Sequence, residues 1–144
     1  MGETKTVVVE HVERYAFVAR GTSNHYVVID SEYDGQPAAA SGPMEMILAA
    51  LGSCTGSDVM EILRKKRLSV SRFSIRLQGD RVEGHPRVYK KIQMKYIFEG
   101  TGLERKAIEQ AIELSLSTYC SVHGMLSKSV EISHDYEVLE TQSQ

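Results

Sequence analysis

Two cysteines are the side chains of this sequence best suited to covalent chemistry. Cys54 lies in Ala50-Leu51-Gly52-Ser53-Cys54-Thr55, and Cys120 in Ser117-Thr118-Tyr119-Cys120-Ser121-Val122. The thiolate, not the thiol, is the nucleophile and the metal ligand, so either residue needs help to ionise near neutrality. Two thiols can close a disulfide once their Cα atoms lie within roughly 7 Å. Two cysteines are too few for the framework of a small secreted domain. The pair therefore reads as catalytic, redox-sensing or simply buried, in a reducing cytoplasmic setting.

Cys54 falls more than two turns into a predicted helix, too deep for the helix N-terminus to lower its pKa much. A neighbouring cation must then do so, and Arg14 and Arg20 are the strand-region choices. Arg20, beside the turn at Gly21, is preferred. Glu45 has the chemistry to orient such an arginine through a carboxylate–guanidinium pair, and equally the position of a helix-capping residue. Cys54 together with Cys120-x-x-His123 offers soft ligands of the kind zinc accepts, but no paired CxxC and no HExxH accompanies them. No metal is therefore expected. No glycine-rich nucleotide loop, G-x-S-x-G or kinase signature occurs, so no cofactor is expected.

Periodicity supplies the secondary structure around these residues. Val7-Val8-Val9, Tyr15 to Arg20 and Tyr26 to Ile29 read as strands separated by turn chemistry at Gly21-Thr22-Ser23-Asn24. A helix opens at Pro43, with Gly42 at the N-cap and Glu45 near N3, and runs to Arg64-Lys65-Lys66-Arg67. Ile47, Leu51 and Cys54 share one stripe, and Leu48, Thr55, Val59 and Ile62 the next. Apolar residues all round predict a buried helix. Strands return around Phe73-Ile75-Leu77 and from Val88 to Phe98. Thr101-Gly102-Leu103-Glu104 reads as a capping box for a second helix carrying Ile108, Ala111, Ile112 and Leu116, with Cys120 at or beyond its last turn. A short helical turn is expected at Met125-Leu126. A closing strand sets Val130, Ile132, His134, Tyr136 and Val138 on one face, with His134 expected as a core histidine. Strands, helix, strands, helix, strand is an α+β order, and 1–144 reads as a single domain.

Composition narrows the partners. Of 144 residues, 42% are hydrophobic and 25% charged, a globular rather than a disordered balance. A net charge of −2 argues against nucleic acid as the main partner. No uninterrupted apolar run of the ~18 residues that span a bilayer is seen, and no signal-peptide core succeeds Met1-Gly2-Glu3-Thr4-Lys5, so no membrane association is expected.

The run Gly42-Pro43-Met44-Glu45-Met46-Ile47-Leu48-Ala49-Ala50-Leu51-Gly52-Ser53-Cys54-Thr55, the segment around Cys120 and the closing strand Val130 to Val138 together resemble the OsmC/Ohr superfamily, over nearly the whole chain. The likeness is to its less characterised OsmC-like branch. It implies an intertwined homodimer with central helices wrapped by antiparallel sheets. It also implies a thiol-dependent peroxidase for organic or small hydroperoxides. Cys54 would attack the peroxide and become a sulfenic acid, Cys120 would resolve it as a disulfide, and a dithiol reductant would restore the pair. The family's glutamate position directly after the proline holds Met44 here, with Glu45 one place on, about 100° around the helix. Arg20 matches the family's arginine approximately, and Ser121 stands where a proline is usual. A non-enzymatic dimer, sensing redox state or binding a small ligand in the same pocket, is the alternative.

Overall fold

The computed structural model describes residues 2–141; Met1 and residues 142–144 lie outside the described residues. It divides into two compact units, 1–47 and 48–144.

The first unit is an antiparallel meander of β1 (Val7–Glu13), β2 (Ala16–Gly21) and β3 (Tyr26–Ile29). β-branched and aromatic residues suit these strands. The β1–β2 reversal occupies Arg14 and Tyr15, with Arg14 at φ 49°. Tyr15 is thus a turn residue, not the start of a strand as its alternation suggested. A non-glycine residue in the left-handed region carries no clear sequence signal. Asp34 and Gly35, at φ 48° and 77°, make the tight reversal that an Asp-Gly pair favours, closed by Tyr33–Gln36 hydrogen bonds. Every residue of β1 is exposed, including Val7, Val8, Val9 and Val12.

Helix α1 (Pro43–Lys65) begins where expected. Proline supplies a fixed φ at the first helical position, and the Glu45 carboxylate accepts the Gly42 N–H at 3.2 Å. Two expectations about α1 need correction. By length and composition it is apolar enough to cross a bilayer. It is also not buried all round. Leu51, Gly52, Thr55, Val59 and Leu63 form its buried face, while Met60 and Ser53 on other faces are exposed.

The second unit carries β4 (Val70–Arg81), β5 (Tyr89–Gly100), α2 (Arg105–Leu114), a π-turn (Ser115–Tyr119), α3 (Ser121–Leu126) and β6 (Glu131–Glu140). The sheet order is β4-β5-β6. β4 and β5 form an antiparallel hairpin, but β6 runs parallel to β5, from Lys91 opposite Glu131 to Gly100 opposite Glu140. The sheet is therefore mixed where antiparallel pairing was expected. Parallel neighbours need a long crossover, and the α2–π-turn–α3 segment is that crossover. Central strand β5 buries Ile92, Met94, Tyr96 and Phe98 at alternate positions, with Phe73 stacked on Phe98 at 4.6 Å between ring centroids. Gly52 permits close approach of α1, since a Cβ there would lie 2.8 Å from a Leu77 methyl. Ala107, Ile108, Ala111 and Ile112 form the buried face of α2.

The capping box expected at 101–104 does not form. Glu104 holds the N-cap in extended geometry without a side-chain cap, and the Thr101 hydroxyl donates to the Thr141 carbonyl instead. His134 is exposed rather than in the core, its ring edge-on to Tyr96 at 6.2 Å.

Candidate redox site

Cys54 is half-buried on α1, and Cys120 is 5% exposed at the junction of the π-turn and α3. Both are free thiols. The fold brings them together: Cys54 is among the neighbours that act on the Cys120 thiol. On another side of the helix, Gly52 and Gly56 let α1 pack close to Leu77, Ile75 and Phe73 of β4.

Backbone geometry sets the position of Cys120. A regular α-helix would continue from Leu114, but the last turn widens so that the Cys120 N–H reaches the Ser115 carbonyl, five residues back, at 2.7 Å. Cys120 then leaves the helix in extended geometry (φ −72°, ψ 103°) and becomes the N-cap of α3. Its sulfur takes the place of a capping oxygen, accepting the His123 N–H at 3.4 Å.

Burial pushes the Cys120 thiol up to about 11; the His123 N–H pulls the other way, and Cys54 and the anionic side chain of Asp58 add to the rise. His123 is held below its usual pKa, first by burial and then, against a hydrogen bond to Leu116, by the nearby His134. A neutral imidazole does not assist thiolate formation at Cys120.

A chain of buried hydroxyls lies beside the thiols. The Thr55 Oγ1 is 2.8 Å from the Tyr96 hydroxyl and 2.7 Å from the Ser115 Oγ. Ser115 donates in turn to the Asp58 carboxylate at 2.9 Å. Thr55 and Ser115 are fully buried, and every buried side-chain polar atom among the described residues has a partner. Tyr96 is pushed up to about 12, mainly by burial, so it remains a donor.

The other residues singled out in the sequence lie in the first unit. The Arg20 guanidinium sits over the Tyr26 ring, 5.5 Å from its centroid. Arg14 lies similarly over Tyr33 at 5.9 Å. The Glu45 carboxylate is occupied with the Gly42 N–H, and among the described residues Arg20 and Glu45 form no ion pair with each other. No group of three or more metal-ligating side chains occurs among the described residues. Thr55, Tyr96, Asp58 and Ser115 were not singled out. Their signal is faint: Thr55 breaks an apolar stripe directly after Cys54, and Asp58 comes three positions later on the same face.

Comparison with known proteins bears on the family and the fold. A family model described as OsmC-like protein matches residues 35–135. Protein YhfA of Escherichia coli K12 is 37% identical over 131 residues, 91% of this chain and 96% of its own. The crystal structure of a hypothetical protein from Aquifex aeolicus VF5 superposes with a TM-score of 0.87 at 35% identity, covering 98% of this chain and all of the other. The organic hydroperoxide resistance protein OhrB of Bacillus subtilis shares the fold at a TM-score of 0.63 and 13% identity, over 94% of this chain and 98% of its own.

Proposed function

Since the chain belongs to the OsmC-like protein family, we propose that it is a thiol-dependent peroxidase for organic or small hydroperoxides, with Cys54 as the attacking thiol and Cys120 as the resolving one. The observation that carries this reading is the asymmetry of the pair. Cys54 is half-buried, whereas Cys120 is 5% exposed, with its thiol pushed up to about 11 by burial.

The chemistry balances with these two residues. The Cys54 thiolate attacks the distal peroxide oxygen, the O–O bond breaks, and the alcohol leaves with a proton. Cys54 is then a sulfenic acid. Cys120 attacks that sulfur, the S–O bond breaks, and the Cys120 proton leaves with the hydroxyl as water. A dithiol reductant returns the disulfide to two thiols by exchange.

In this reading Arg20 is the candidate cation that arms Cys54 and Glu45 the carboxylate that orients it. The functional assembly is a homodimer formed by the single domain 1–144, acting in the cytoplasm, where reductant keeps the pair as thiols. The open apolar residues of β1 and β3 support a second copy as the partner. A dithiol-coupled assay with cumene hydroperoxide tests the reading. Turnover is expected, and its absence, or turnover that survives Cys54→Ser, overturns it.

A second reading is a non-enzymatic dimer that senses redox state or binds a small ligand. It is favoured by the occupied state of both candidate activators, Glu45 by the Gly42 N–H and Arg20 by the Tyr26 ring. Disulfide formation with an oxidised glutathione buffer, without peroxide turnover, selects it.

A further inference from the structure

The hydroxyls beside the thiols have only one consistent arrangement of protons. A carboxylate can only accept, so the single Ser115 proton goes to Asp58. Ser115 must then accept from Thr55, which spends the Thr55 proton. Thr55 must therefore accept from Tyr96. The chain runs one way, Tyr96 to Thr55 to Ser115 to Asp58, and Tyr96 can start it because burial keeps its hydroxyl protonated.

The two middle members sit at telling places. Thr55 is the residue directly after Cys54 on α1. Ser115 opens the π-turn, and its carbonyl is the group that holds the Cys120 N–H at 2.7 Å. One residue thus uses its side chain to grip the Cys54 segment and its backbone to fix the start of the Cys120 segment. Valine at 55 and alanine at 115 would fill the same buried space without two hydroxyls to satisfy, so hydrophobic burial alone does not account for them.

We propose that the Thr55–Ser115 hydrogen bond, held in one direction by Tyr96 and Asp58, is a clamp that sets the approach of the two thiols, and that Thr55 and Ser115 are positioning residues for closing the Cys54–Cys120 disulfide. This rests on the thiol-pair reading above but not on the oxidant being a peroxide. The reaction it governs is two-electron oxidation of two thiols, with two protons released, by any disulfide or sulfenate-forming oxidant. Here glutathione disulfide serves as the oxidant and is reduced to two glutathione thiols.

The test is the effective concentration of one thiol at the other, read from the equilibrium of the Cys54–Cys120 disulfide with a glutathione redox buffer. Thr55→Val, which keeps the shape and loses the hydroxyl, and Ser115→Ala are each expected to lower it about 10-fold or more, since small misplacements of reacting groups cost that much or more. Thr55→Ser is expected to restore it. The double variant should lose no more than the larger single loss, because both remove the same bond; a general loosening of the fold would add instead. An effective concentration within about 2-fold of the parent in folded Thr55→Val, or additive losses, overturns the clamp. Should the buried variants not fold, Asp58→Ala, at a half-buried position, removes the terminal acceptor. It is expected to lower the value in the same direction, and no change overturns the proposal. A parent protein that forms the disulfide with glutathione but consumes no hydroperoxide removes the peroxidase reading and leaves the clamp standing. A parent that forms no Cys54–Cys120 disulfide overturns the clamp itself.

Discussion

The segments that carry the two thiols differ in backbone, and they give chemically identical side chains different surroundings. Cys54 sits on an unbroken helix, where its neighbours are Gly52, Ser53 and Gly56 and the residue is only half-buried. Cys120 sits where a helix widens into a π-turn and breaks, so its N–H, its sulfur and the residue five before it are all tied by hydrogen bonds. The regular helix leaves its thiol available; the irregular one encloses its thiol and raises its pKa. Under the proposed reading, this difference in enclosure is what separates an attacking group from a waiting one.

The largest expected effect comes from exchanging the roles by deletion. Cys54→Ser should cut hydroperoxide turnover by about 1,000-fold or more, because no nucleophile remains. Cys120→Ser should still consume close to one equivalent of peroxide and then stall as a Cys54 sulfenic acid. Mass spectrometry after dimedone trapping reads the adduct directly. Equal loss of the first equivalent in both variants would break the division of labour.

Alkylation rates sharpen the same contrast. With excess iodoacetamide near pH 8, Cys120 should react at least about 10-fold more slowly than Cys54, being both enclosed and predominantly protonated. In Cys54→Ser the contribution of the neighbouring sulfur disappears, but burial is the first cause of the shift. The Cys120 rate should therefore keep rising with pH beyond the ordinary thiol value of 9.0. A midpoint at or below that value would show that Cys120 is not enclosed.

Much of the framework around the thiols was legible in the sequence, and the features that were missed have a common cause. Pro43, Gly42 and Glu45 announce the start of α1 through local chemistry, and the alternation of β4 and β5 comes from a period of two. The approach of Cys54 to Cys120 was expected only as a condition to be met. The π-turn left no sign, because an extra residue in a turn keeps the same composition while rotating every later side chain of the helix. Thr55 and Ser115 read as neutral fillers on apolar faces, since one hydroxyl reveals its worth only beside its partner. Thr101 looked like a cap because its spacing to Glu104 is right, yet a tertiary contact with Thr141 claimed its hydroxyl. Parallel pairing of β6 was hidden because strand direction depends on where the crossover returns the chain.

The buried ends of the site should also mark the stability of the fold. Cys120 at about 11 and Tyr96 at about 12 are both raised above their ordinary values of 9.0 and 10.0. For each the folded state holds its proton more tightly than the unfolded chain does. Their contribution to stability is complete below pH 9 and is lost as pH climbs through 9 to 12. With solvent screening reducing it, the loss is on the order of 2 kcal/mol per group at full ionisation. Thermal unfolding tracked by circular dichroism should show Tm falling across that window, with Cys120→Ser removing its share between pH 9 and 11. A flat Tm across that window would contradict the enclosure on which the resolving role depends.

The smallest effect concerns Glu45, which separates a capping role from an activating one. Its carboxylate accepts the Gly42 N–H, a bond that an amide oxygen can also accept. Glu45→Gln should therefore cost only a few tenths of a kcal/mol, from the lost charge at the helix N-terminus. Glu45→Ala should cost about 0.5–1 kcal/mol through the lost cap. If capping is the whole of its contribution, kcat/KM for cumene hydroperoxide in Glu45→Gln stays within about 3-fold of the parent, a difference of under 1 kcal/mol in the barrier. A fall of about 100-fold with the stability unchanged would instead assign the carboxylate to arming Cys54. It would make Arg20→Ala the next variant to measure, expected to fall in step with it, because an arginine and the carboxylate that orients it act as a unit.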